Sequence, residues 1–130
     1  MTFGLVSVYL IMNNIISTQN NSFENIKIIK DNSEFWSARD LMKTLNYLRW
    51  ENFDEVIKRA KIACQNSNQG IKEHFRDVTK TLITGNKAKI SITDIELDRY
   101  ACYLIAQNGD SRKPQIALAQ TYFAIQTRRQ

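Results

Sequence analysis

From residue 24 onward the chain alternates between short β-branched runs and longer stretches whose apolar residues recur every three or four positions. Residues 23–29 alternate loosely and lead into Lys30-Asp31-Asn32-Ser33, a cluster of turn formers, before Glu34-Phe35-Trp36. Two strand-like runs around such a cluster predict a β-hairpin. Ser37 then predicts a helix start, because its hydroxyl can accept from the backbone N–H near Asp40, whose carboxylate suits the positive helix end. Leu41, Met42, Leu45 and Leu48 follow as a core stripe, and Asn46 is a tolerable left-handed terminator. A second helix is expected from Asn52, with Glu55 completing a capping box and Phe53, Val56, Ile57, Ala60 and Cys64 inward. Lys58, Arg59 and Lys61 fall outside that stripe and read as a solvated face.

Residues 65–70, rich in Asn, Ser and Gln, read as a loop. A second hairpin is expected over 78–93, with β-branched arms at 78–83 and 89–93 around Thr84-Gly85-Asn86-Lys87. A third helix runs from about Asp98 to Asn108, with Leu97, Tyr100, Ala101, Leu104 and Ile105 inward and Gly109 beyond its end. The last helix begins near Ser111 with Pro114 in its first turn, where a missing N–H does no harm. It continues to Gln130 without a stop signal, so the chain is expected to stop inside a helix and to belong to a longer protein. The order strands, helices, strands, helices gives an α+β fold: two short hairpins with about four helices in one domain over residues 23–130.

The first 23 residues carry no charge, and their apolar stretch at 3–12 is too short to span a bilayer. A secretory signal needs a basic start and small residues at a cleavage site, and neither is present. Residues 1–22 are therefore expected to be a poorly ordered leader or the product of a start codon placed too far upstream, with Met12 a later start. No membrane association is expected, and the protein is placed in the cytoplasm.

A length of 130 residues suffices for one core, and a charged content of 24% is that of an ordinary globular domain, which argues against disorder. Net charge is +5 with a pI near 9.3, so an anionic partner fits. Cys64 and Cys102 are too few for a disulfide scaffold and lie in apolar segments, as buried thiols of a reducing compartment do.

Catalytic chemistry is sparse. His74 is the sole histidine, which leaves the common zinc sites and His-dependent triads without their parts, and no glycine-rich phosphate loop exists. Asp94, Glu96 and Asp98 alternate along what would be one strand face and are the only candidate magnesium site of a nuclease. Asp98, however, stands where a helix cap is needed. No enzyme activity, metal or cofactor is expected.

The basic residues are more suggestive. Lys87 and Lys89 belong to the second hairpin, which has a local charge of +3 with Lys80 and contains no acid. Arg112 and Lys113 precede a helix start, where backbone N–H groups hold phosphate. Arg128 and Arg129 form another pair, and Arg49 lies beside Trp50, which can stack on an unpaired base or pack in the core. Arg39 on the first helix joins this nucleic-acid-binding set.

Longer motifs carry a resemblance. Arg99-Tyr100-Ala101-Cys102-Tyr103-Leu104-Ile105-Ala106-Gln107-Asn108-Gly109-Asp110 and Ala119-Gln120-Thr121-Tyr122-Phe123-Ala124-Ile125-Gln126-Thr127-Arg128-Arg129-Gln130 resemble the DNA-damage-inducible protein D family. Phe35-Trp36-Ser37-Ala38-Arg39-Asp40-Leu41 and Arg59-Ala60-Lys61 match it as well. Asn46 replaces a usual glycine and Asp98 a usual Ser or Thr, each keeping its capping role; the uncharged leader has no counterpart.

The resemblance implies a Bro-N domain, shared with viral Bro proteins and phage antirepressors and associated with DNA binding. It implies a role in the SOS response to DNA damage, acting on RecA-type recombinase filaments formed on single-stranded DNA. Family members continue past the motif ending in Gln130 into a second region that this sequence does not contain. The expected function is a DNA-binding module of a DNA-damage response protein, with the strandedness of the DNA left open. An antirepressor-like protein-interaction module is the alternative, and a metal-dependent nuclease stands behind both.

Overall fold

In the computed structural model, residues 22–128 are described, with side chains through residue 124. The expectations for the leader lie outside the described residues, apart from Ser22.

The first described element is helical, not extended: residues 22–26 form a helical turn (α1). The loose alternation over 23–29 therefore misleads, and the reason is tertiary. Phe23 is fully buried, its carbonyl accepts the indole N–H of Trp36 at 2.9 Å, and its ring meets Tyr122 and Phe123 at 5.2 and 5.4 Å. Burial of one such ring contributes about 1.5–3 kcal/mol. That outweighs the few tenths of a kcal/mol per residue by which local preference separates the conformations.

The first hairpin is real but short. β1 (Ile28–Lys30) pairs antiparallel with β2 (Ser33–Ser37), with Lys30 opposite Ser33. Its two-residue loop holds Asp31 and Asn32 at φ 53° and 65°, the left-handed pair that matches the twist of a tight hairpin.

Helix α2 (Ala38–Thr44) starts where the sequence places it, with the Ser37 hydroxyl accepting from Asp40 N–H at 3.3 Å. Asn46, at φ 61°, ends it. Leu41 and Leu45 are buried, but Leu48 is 93% exposed and leaves the expected stripe, because the helix has ended before it. Helix α3 (Trp50–Asn66) begins two residues earlier than Asn52, with Arg49 at the cap position and no side-chain cap. The capping box with Glu55 does not form; Phe53, Val56, Ile57, Ala60 and Cys64 are inward as expected.

The segment 65–70 is only partly loop, and a single unexpected turn, α4 (Ile71–His74), follows it. The second hairpin is longer than 78–93: β3 (Phe75–Ile83) and β4 (Lys89–Leu97) pair along their whole length. Two pairs, Trp36 with Leu97 and Ser37 with Glu96, join the hairpins into one antiparallel sheet of order β1-β2-β4-β3. Local pattern does not reveal this union, since the paired residues lie far apart in sequence.

Helix α5 (Arg99–Asn108) is capped by Asp98, whose carboxylate accepts from Ala101 N–H at 2.9 Å. Helix α6 (Pro114–Arg128) carries Pro114 at its first position. α5 packs on α3, α6, β2 and β4, and the core gathers around it from Phe23, Trp36, Leu97, Ile105, Ile116 and Phe123. Arg99 is buried beside that core, as is Asp94 elsewhere, and is held by Glu34 at 2.6 and 2.9 Å. Cys64 and Cys102 are buried free thiols, and burial pushes both above the usual thiol range. The fold is α+β, as expected, with the hairpins merged and additional short helices.

Candidate nucleic-acid interface

Three of the eight cations expected to bind nucleic acid, Arg39, Arg49 and Lys113, lie around the turn between α2 and α3. Arg39, in the first turn of α2, donates from Nε to the carbonyl of Thr93 at 2.7 Å, which fixes its guanidinium beside β4. That guanidinium lies 4.2 Å from the ring centroid of Trp50 at the start of α3. Trp50 in turn meets Phe53, and Phe53 meets Tyr47, at 6.2 and 5.2 Å. Lys113 comes from the loop before α6, with its ammonium 5.1 Å from the Tyr47 ring and 3.4 Å from the carbonyl of Asn46. The Tyr47 hydroxyl accepts from the Asp110 N–H at 3.4 Å and ties the two loops together. Arg49, at the cap position of α3 next to Trp50, is exposed. Arg39 and Lys113 are thus joined through the rings of Trp50, Phe53 and Tyr47 into one corner.

Trp50 is half-buried and has Arg39 against its ring, so it is not an open platform for a base. Arg112 also belongs to this region but is engaged: its side chain donates to Asp110 at 3.0 and 3.1 Å. Those bonds, chiefly from the Arg112 side chain, hold the Asp110 carboxyl below the usual carboxylate range.

Lys87 and Lys89 stand apart at the tip of the β3–β4 hairpin, with Lys87 in the left-handed region at φ 63°. Two further cations link tip and corner and were not singled out as site residues from sequence. Lys43, one turn along α2 from Arg39, and Lys80, on β3, line a groove of about 250 Å³ with Arg39, Asp40, Met42, Leu82 and Ile92. The four-residue spacing of Arg39 and Lys43 is the signal that finds Lys43. Lys80 lies 3.9 Å from both Asp40 and Asp94. Among the described residues, Arg39, Lys43, Arg49, Lys87, Lys89 and Lys113 make no ion pair with a carboxylate. Arg128 closes α6; its side chain and the whole of Arg129 lie outside the described residues.

The acidic triplet is dispersed by its hydrogen bonds. Asp94 is buried against Ser37 and Arg39, Glu96 pairs with Arg76, and Asp98 caps α5 and meets His74 Nδ1 at 2.5 Å. Among the described residues, no three His, Cys, Asp or Glu side chains are placed to hold a metal ion. Among the described residues, no helix is long and apolar enough to cross a membrane.

Against known proteins, the BRO family N-terminal domain (Bro-N) matches residues 25–124. The chain belongs to the Bro-N family. It is also 53% identical over 109 residues to the DNA damage-inducible protein D of Escherichia coli (strain K12). That match covers 83% of this chain and 40% of the relative, so the chain spans about two-fifths of that protein's length. No solved structure matches. The Bro-N limits enclose the α2–α3 corner, the hairpin tip and Lys113, so these candidates lie within the matched domain.

Proposed function

We propose that this Bro-N chain is a DNA-binding module of a DNA-damage response protein, acting in the cytoplasm as part of the SOS response. The observation that carries the reading is the corner where Arg39 lies on the Trp50 ring and Lys113 on the Tyr47 ring, with Arg49 exposed next to Trp50 in the chain and none of the three in a salt bridge among the described residues. Cations of that kind contact phosphates, and each contact released shows as salt dependence. The likeness to a protein named DNA damage-inducible supports the biological setting. Modulation of RecA-type recombinase filaments on single-stranded DNA is the finer assignment, drawn from the same family likeness.

Charge reversal at Arg49 and Lys113 tests the reading. Arg49→Glu with Lys113→Glu is expected to weaken DNA binding in an anisotropy titration and to flatten the salt slope by about 1.8 for two lost phosphate contacts. Unchanged affinity and slope overturn the corner as the interface. One observation favours the antirepressor-like reading, in which a protein is the target: Leu48, beside Arg49, is 93% exposed. Under it, purified chain fails to bind DNA and captures its protein partner after nuclease treatment.

A further inference from the structure

The β3–β4 hairpin outreaches the body that supports it. Phe75, Ile95 and Leu97 at its root are buried, whereas Leu82, Ile83 and Ile90 near its tip are exposed. From the Thr79–Thr93 pair to the Ile83–Lys89 pair the ribbon runs four further rungs, about 14 Å, bordered by α2 on one side only.

Cross-strand register sorts its side chains. Thr79 faces Thr93, Thr81 faces Ser91 and Ile83 faces Lys89, so these six share one side, and all six are exposed. Four hydroxyls, one apolar group and one ammonium form that face. The opposite side carries Lys80, Leu82, Ile90 and Ile92 and borders α2. From 78 to 93 the chain has three lysines, no acid and no aromatic residue.

We propose that this arm enters the major groove of duplex DNA, with the hydroxyl face toward base edges and Lys87 and Lys89 on the flanking phosphates. The inference rests on the DNA-binding reading above and deepens it by choosing the strandedness and the reading element. Toward the tip Lys87 and Lys89 favour an anionic partner, while Asp54 and Asp77 border Thr79 and Thr93 at the root of the same face, so the contact with DNA is assigned to the outer rungs. The absence of aromatics argues against a single strand, whose bases are held by stacking. A two-stranded ribbon fits the roughly 12 Å major groove, where Ser and Thr hydroxyls pair with either base type and an apolar side chain meets the thymine methyl.

The test uses the 130-residue chain and labelled DNA: a 20-base-pair duplex and its single strand, over a salt series. One variant carries Lys87→Asn and Lys89→Thr, since Asn tolerates the left-handed backbone at 87 and Thr suits a strand. A second carries Thr81→Val and Ser91→Ala. Wild type is expected to prefer the duplex. The lysine variant is expected to bind it roughly ten-fold more weakly, with a salt slope lower by about 1.8. The hydroxyl variant is expected to keep its affinity for random duplex and to lose discrimination among sequences. If wild type binds duplex and both variants match it in affinity, slope and discrimination, the arm is not the reader, while the DNA-binding reading stands. Preference for the single strand likewise overturns the inference alone. Failure of wild type to bind either DNA overturns both.

Discussion

The hydroxyl of Ser37 donates to the carboxylate of Asp94 at 2.5 Å across 57 residues of sequence, while accepting from Asp40 N–H at the start of α2. Asp94 also takes the backbone N–H groups of Arg39 and Ile95, at 3.1 and 2.8 Å. One buried carboxylate thereby pins the first turn of α2, and with it Arg39, to β4.

Removing that carboxylate is expected to be expensive, because the donors it serves lose their acceptor. Asp94→Ala should lower stability on the order of 3 kcal/mol, and Asp94→Asn by less, since an amide can accept from some of them but presents an NH₂ to another. Urea unfolding monitored by circular dichroism measures both. A loss below about 0.5 kcal/mol for Asp94→Ala would show that α2 is held by its apolar face alone.

The Asp110–Arg112 pair competes with phosphate for the same guanidinium. Asp110→Asn is expected to release Arg112, tighten DNA binding roughly two- to three-fold and steepen the salt slope by about 0.9, one phosphate contact. An affinity and slope equal to those of wild type place Arg112 outside the interface.

Acid should loosen the link between α1 and α6. Hydrogen bonds from the Lys27 ammonium, at 2.7 Å, and from the Tyr122 hydroxyl hold the Glu24 carboxyl below its ordinary value of 4.5. A carboxyl lowered in the folded state contributes stability that is complete above its unfolded value and is lost as pH falls through its folded value. Glu24→Gln should therefore be less stable than wild type near neutrality, with the gap closing below about pH 4.5. Thermal unfolding of both chains between pH 3 and 7, at roughly one-unit steps, reads the convergence. Parallel curves would deny Glu24 any part in it.

Features governed by local chemistry were legible in the chain. Ser37 and Asp98 cap helices, Asn46 takes the left-handed conformation and Pro114 opens a helix, each for a reason contained in neighbouring residues. Those that depend on distant partners were not. Phe23 is helical because of Trp36 and two aromatics of α6, and the hairpins merge because Trp36 finds Leu97. Asp98 could be set apart in sequence as a helix cap, but nothing there distinguished Asp94 from Glu96, which only burial against Ser37 separates. The candidate site divides the same way. Arg39, Arg49 and Lys113 could be named from sequence and Lys43 and Lys80 were missed, while the meeting of Arg39 with Trp50 and of Lys113 with Tyr47 is a property of the fold.

The aromatic knot of Phe23, Trp36 and Phe123 gives the molecule a polarity. Trp36 pairs with Leu97, opposite Phe75 at the root of the long hairpin, and the Ile83–Lys89 pair lies eight rungs away, about 27 Å. The first described helix and the α6 residue that packs on it thus sit at the pole where the ribbon is anchored, and Lys87 and Lys89 stand at the opposite one, so the tip is carried as far from the aromatic centre as the hairpin allows.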